Sequence, residues 1–200
     1  MKLKPTFIIF IVLAGINVVP AQESADYNSI FPDPINEMYA GNTIAEANQD
    51  MMMGPFIKDL SRNYYSKFGE HQLAIIIVPF DFEAVNMINY LKKADSDTLQ
   101  MFEDAGCKLI NYKSYEGLLL TEEDDVLIVL IIDGEYGTVS VEGYPTRKNQ
   151  DYISDIMLEY LGNLNMTDIQ NYIAGQLEYA HNSFKGLKEG MDKILEEEGY

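Results

Sequence analysis

Four carboxylates stand where they could converge on one crevice. Asp81 and Glu83 follow the apolar run at residues 73–78, and Asp133 and Glu135 follow a second run at 126–132. If both runs are parallel strands, the two pairs leave the sheet at its carboxyl edge, where α/β sheets hold ligands. Several hard oxygen donors in one crevice are what calcium or magnesium requires. The same residues also admit a plainer use, because Asp133-Gly134 is turn chemistry and Asp81 can cap a following helix. A second acidic run, Glu122-Glu123-Asp124-Asp125, directly precedes the second apolar stretch. It offers calcium ligands, or it guards an aggregation-prone strand by repulsion. Tyr144 and Arg147, with Lys148 beside them, form a candidate contact for a phosphate or a partner carboxylate, or else a plain surface loop.

Other chemistries find no support. The chain has no G-x-S-x-G, H-E-x-x-H, Walker A, G-x-G-x-x-G or EF-hand pattern. His71 and His181 read as surface residues at element junctions without a paired serine or cysteine, so a serine or cysteine hydrolase is not expected. Cys107 is the single cysteine; it cannot form an internal disulfide and reads as a small buried hydrophobe. With 32 acidic against 14 basic side chains, a formal charge of −18, neither nucleic acid nor anionic lipid suits as a main partner.

The elements that must position these residues follow from pattern. A basic start at Lys2 and Lys4, an apolar run at 7–14, and the small residues Val19 and Ala21 before Gln22 have the layout of a secretory signal peptide over residues 1–21. The mature chain is then expected to be soluble and exported, in periplasm or medium, with no integral membrane segment. Residues 22–48 read as an irregular arm and 49–200 as one domain. A hydrophobic content of 47%, with 14 Tyr and 9 Phe, excludes global disorder.

Phe56, Leu60, Tyr64 and Phe68 recur every fourth residue and predict a helix ending at Gly69. The runs at 73–78 and 126–132 predict strands covered on both faces. Helices are expected around Ala84–Leu91 spacing, and again through Leu99 and Phe102 to Gly106. Residues 108–120 read as a short strand and a loop. Alternation at 138–144 predicts a hairpin with the second apolar strand. Three helices close the chain, the second opened by the capping-box pattern Thr167-x-x-Gln170. A helical crossover between the two apolar strands predicts that they are parallel in a small mixed sheet sandwiched between helices, an α/β/α class.

The layout resembles the TPM domain family, named for thylakoid lumen, photosystem-repair and receptor-modulator proteins. The segments that carry the resemblance are Ile35-Asn36-Glu37-Met38-Tyr39-Ala40-Gly41, Ala74-Ile75-Ile76-Ile77-Val78-Pro79, Val126-Leu127-Ile128-Val129-Leu130, Val139-Ser140-Val141-Glu142-Gly143-Tyr144 and Gly186-Leu187-Lys188-Glu189-Gly190. Glu37 stands in place of the usual aspartate, Asp125 replaces a glycine, and Pro145 follows Tyr144 where glycine is usual. A runner-up is a small secreted bacterial family with a Tyr-Glu-x-Leu segment, here Tyr115-Glu116-Gly117-Leu118.

The resemblance implies an extracytoplasmic accessory or binding domain whose partner is another extracytoplasmic protein, with calcium or magnesium as the implied cofactor. It also implies acid-phosphatase activity, so the main alternative is a metal-assisted acid phosphatase, with the strand-end residues Asp81 and Asp133 read above holding the ion that polarises a phosphoryl oxygen. A third reading is an interaction domain with no ligand site at all.

Overall fold

The computed structural model describes residues 27–35, 37–47, 58–121, 125–132, 136–146 and 152–197. Its strands are β1 (Tyr39–Ala40), β2 (Ile44–Ala47), β3 (Lys58–Tyr65), β4 (His71–Val78), β5 (Cys107–Tyr112), β6 (Tyr115–Thr121), β7 (Val126–Ile131) and β8 (Thr138–Gly143). Its helices are α1 (Phe82–Leu91), α2 (Ser96–Asp104), α3 (Ile153–Asn163) and α4 (Met166–Glu197). The sheet runs β1-β3-β4-β8-β7-β6-β5, with β2 also on β3. Every pairing is antiparallel. The class is mixed α/β.

The expectation of a small mixed sheet is corrected: the sheet has eight strands and its pairings are all antiparallel. The two apolar strands β4 and β7 do run the same way, but β8 lies between them, antiparallel to both. Thr138 sits opposite Val78 on one side and Ile131 on the other. The β7–β8 hairpin folds back into the gap that a crossover would have left closed. Antiparallel neighbours need only a tight turn, and here the Ile132 N–H donates to the Gly137 carbonyl at 2.8 Å to close it.

Four further expectations change. The helix expected across 56–68 is strand β3 where it is described. A spacing of four residues is also two periods of a strand, so Leu60 and Tyr64, both fully buried, share one face of the sheet. Residues 108–120 form the hairpin β5–β6 rather than a strand and a loop. Gly106 enters that hairpin at φ +83°, and a Cβ there would lie 2.3 Å from the Thr121 carbonyl oxygen, so only glycine fits.

The last two expected helices are one, α4, whose start is capped by Asn165 rather than Thr167. The Asn165 side chain meets Asp168 at its backbone N–H and its carboxylate, at 3.4 and 2.6 Å. Finally, the arm contributes β1 and β2 to the sheet and a 3₁₀ turn at Tyr27–Ile30. It is tied down from below: the Tyr64 hydroxyl donates to the Pro32 carbonyl at 2.9 Å, the Ile35 N–H donates to the Tyr160 hydroxyl, and Arg62 donates to the Gly41 and Asn28 carbonyls.

Two apolar layers lie on opposite faces and are offset along the sheet. On one face Leu73, Ile75, Ile77, Val139 and Val141 pack against Met157, Tyr160 and Ile173 of α3 and α4. On the other, Val85, Ile88 and Leu91 of α1 pack over Cys107, Leu118 and Ile131 of β5, β6 and β7. Each such fully buried aliphatic side chain contributes roughly 1.5–3 kcal/mol. Over β3, β4 and β8 that second face carries instead Ser61, Asn63, Tyr65, Ile76, Ser140 and Glu142, all part-exposed.

Candidate functional site

The carboxyl edge shared by β4 and β7 is occupied by hydrogen bonds of the fold itself. Asp81 sits just before α1, where its Oδ1 accepts from the Ala84 N–H at 3.0 Å and its Oδ2 from the Thr138 hydroxyl at 2.8 Å. Its own N–H donates to the Tyr136 carbonyl at 2.8 Å. Asp81 therefore caps the helix and pins it to the first residue of β8. Glu83 is exposed in the first turn of α1. Asp133, Glu135 and the acidic residues 122–124 lie outside the described residues. Among the described residues no group of three or more His, Cys, Asp or Glu side chains could hold a metal. Around this edge the rings of Phe80 and Tyr136 stack at 4.7 Å, with the half-exposed Phe82 beside them.

The opposite edge gathers a different set. Tyr39, Tyr65, His71 and Tyr144 form a continuous ladder of rings across β1, β3, β4 and the end of β8. Successive centroids are 5.3, 5.3 and 4.2 Å apart, and the interplanar angles are 20°, 33° and 30°. A register shift at Tyr64/Tyr65 turns His71 onto the side of Asn63 and Tyr65. The His71 Nε2 donates to Asn63 Oδ1 at 3.1 Å. Burial holds the His71 imidazole below its ordinary pKa, although the Glu142 carboxylate pulls the other way. Burial also pushes the Tyr144 phenol well above its usual range, with Glu142, which accepts its hydrogen bond, and then Asp125 adding to the shift.

Of the sequence candidates, Tyr144 belongs to this ladder, while Arg147 lies outside the described residues. Tyr39 stands in the segment 35–41 that carries the family resemblance and His71 reads from sequence as a surface residue, while Tyr65 and Asn63 stand in no motif. All four come from three strands, and only the strand register brings them together.

The chemistry of the ladder is that of recognition. Rings that stack on one another offer edges and hydroxyls rather than free faces. Beside them, among the described residues, stand the Asn63 amide, the His71 imidazole and the Glu142 carboxylate, a set that makes hydrogen bonds. The described hydrogen-bond partner of His71 Nε2 is the Asn63 amide oxygen rather than a serine or cysteine. Cys107 is buried under α1, and burial raises its thiol pKa, which keeps it an unreactive thiol. Below the ladder, an open groove of roughly 200 Å³ is lined by Glu37, Lys67, Phe68, Gln72 and Tyr152. Glu37 and Lys67 pair across it at 2.5 Å, and this pair lowers the Glu37 pKa.

Among the described residues no helix is long and apolar enough to cross a membrane. No family model matches the chain. No curated protein matches it either. Among solved structures, a GTP-binding regulator from Thermotoga maritima is similar over 64% of this chain and 82% of its own, at 8% identity and a TM-score of 0.34. A likeness that loose carries no argument about fold or function.

Proposed function

We propose that this chain is an exported accessory module of TPM type, a single α/β/α domain following a signal peptide, that binds an extracytoplasmic protein without turning over a substrate. The observation that carries this reading is the ladder Tyr39–Tyr65–His71–Tyr144, a row of hydrogen-bonding rings on the part of the sheet where α1 and α2 add no core residue among the described residues. The family affiliation is supported by the order of β4, two helices, the β7–β8 hairpin ending in Gly143-Tyr144, and then helices. It is weakened where the family's first helix corresponds to strand β3. A divalent cation held by Asp81, Glu83, Asp133 and Glu135 is the second reading. It is favoured by β4 and β7 ending level on Thr138, and it stands second because both Asp81 oxygens already accept hydrogen bonds.

A photo-crosslinking residue placed at Tyr39 in the exported chain tests the first reading. Adducts with an extracytoplasmic protein are expected from Tyr39 and not from the exposed Met101 on α2, and they should disappear when Tyr144→Ala is added. Equal adducts from both positions would sink it. Export is read separately, from an amino terminus at Gln22 in the secreted protein.

A further inference from the structure

We infer that the outer edge of β5, with the apolar groove beside it, accepts an extended peptide strand of a partner protein. Among the described residues, strand β5 ends the sheet order. Tyr112 pairs with Tyr115 across a two-residue turn, so the hydrogen-bonded pairs of this hairpin fall at 112, 110 and 108. The bond from the Thr121 N–H to the Gly106 carbonyl, at 2.8 Å, keeps the same parity. The N–H and C=O groups of Cys107, Leu109 and Asn111 therefore face away from β6.

Of the devices that blunt native sheet edges, the described strand carries one, the exposed Lys108. Its six residues, CKLINY, contain no proline, and its register with β6 runs without a bulge.

The side chains agree with the backbone. Ile110 and Tyr112 share a face with Leu119 and Ile128, and with Leu158 and Leu161 of α3 they line a groove of about 260 Å³. Leu158 stands 46% exposed at its rim. The groove exists because α3 packs on β8, which β7 and β6 separate from the edge strand β5. A strand laid along β5 would send every second side chain over Ile110 and Tyr112 into this space. An extended backbone can pair in register with outward donors and acceptors that alternate with period two, where otherwise water would bond them.

Charge narrows the occupant. Lys108 and Lys113 are exposed at this edge, and the ion pairs among the described residues, Lys67–Glu37 and Lys92–Glu116, use neither. A peptide with apolar residues at alternate positions and a flanking carboxylate is complementary. A second copy is disfavoured, since pairing β5 with itself would join two chains of formal charge −18 and bring the same lysines together.

The test is a displayed random dodecapeptide library panned on the chain and on Asn111→Pro. Asn111 is exposed and its N–H points outward, so proline there blocks an added strand while sparing the β5–β6 bonds. Enriched peptides should alternate apolar residues and carry acidic flanks. They should slow amide exchange at Cys107, Leu109 and Asn111, and they should bind Asn111→Pro at least tenfold more weakly. If that variant does not fold, Leu158→Glu at the exposed groove rim should show the same loss. No enrichment, or enriched peptides that bind the folded variant unchanged, would overturn the proposal. So would a dimer by light scattering that Asn111→Pro dissociates, which would assign the edge to a second copy.

Discussion

Two side chains show how position decides the use of a titratable group. Asp81 has a helix N–H on one oxygen and a buried hydroxyl on the other, so it acts as a cap and a tether. Asp81→Ala removes the cap and leaves the Thr138 hydroxyl, 1% exposed, without its acceptor. A loss of about 1–3 kcal/mol in urea unfolding is expected. In the cycle with Thr138→Val the two losses should be less than additive, because both variants remove one bond. Strict additivity would refute the tether. His71 acts through its proton instead. Its folded pKa lies below the unfolded value, so the unfolded chain binds its proton first as pH falls. The stability it contributes is complete above pH ~6.5 and is lost as pH drops through the folded pKa. His71→Phe keeps a ring between Tyr65 and Tyr144 but cannot titrate. Its urea midpoint should therefore fall less between pH 7.5 and 5 than that of the unsubstituted chain, and parallel curves would show that His71 is not the group responsible.

At the scale of elements, what was legible in the sequence had one periodicity and one interpretation. The unbroken runs became the strands β4 and β7, although cover on both faces fails for β4, whose Ile76 stays part-exposed, and the i, i+3, i+4 pattern of Ile153, Ile156, Met157 and Tyr160 became α3. Leu60 and Tyr64 fit a helix and a strand equally, and the choice was made by their pairing with Ile77 and Leu73, which no local window contains. The site failed for the same reason. Asp81 was visible because a cap is local, whereas Asn63, Tyr65 and His71 meet Tyr144 through three separate strands. Two glycines differ in the same way, one fixed by a neighbouring strand and one by nothing. A Cβ on Gly117 in β6 would lie 2.0 Å from the Val129 carbonyl oxygen, on the neighbouring strand β7. Gly117→Ala should cost about 3 kcal/mol, because backbone rather than a flexible side chain must move. Gly175 in α4 has nothing within 4 Å of such a Cβ, and Gly175→Ala should stabilise by roughly 0.5–1 kcal/mol through helix propensity. Thermal unfolding of the pair separates close approach from mere composition, and equal midpoints would contradict the packing of β6 against β7.

For the whole molecule the strongest influence outside the core is charge of one sign. Acidic side chains outnumber basic ones 32 to 14, and the two ion pairs among the described residues are both exposed, so they offset little of the self-repulsion. Screening should therefore stabilise the fold. At 0.15 M ionic strength charges interact over about 8 Å, so raising sodium chloride from low salt to that range is expected to lift the melting midpoint by a few degrees. Divalent ions must be judged against this background. At matched ionic strength calcium and magnesium should lift the midpoint alike, and Asp81→Asn should lower the starting value without changing the rise, since its carboxylate serves α1 and Thr138. A rise specific to calcium and abolished by Asp133→Asn would instead establish a cation at the level ends of β4 and β7. The capping role of Asp81 would then be one half of a ligand site, and the phosphomonoester assay would become the next experiment.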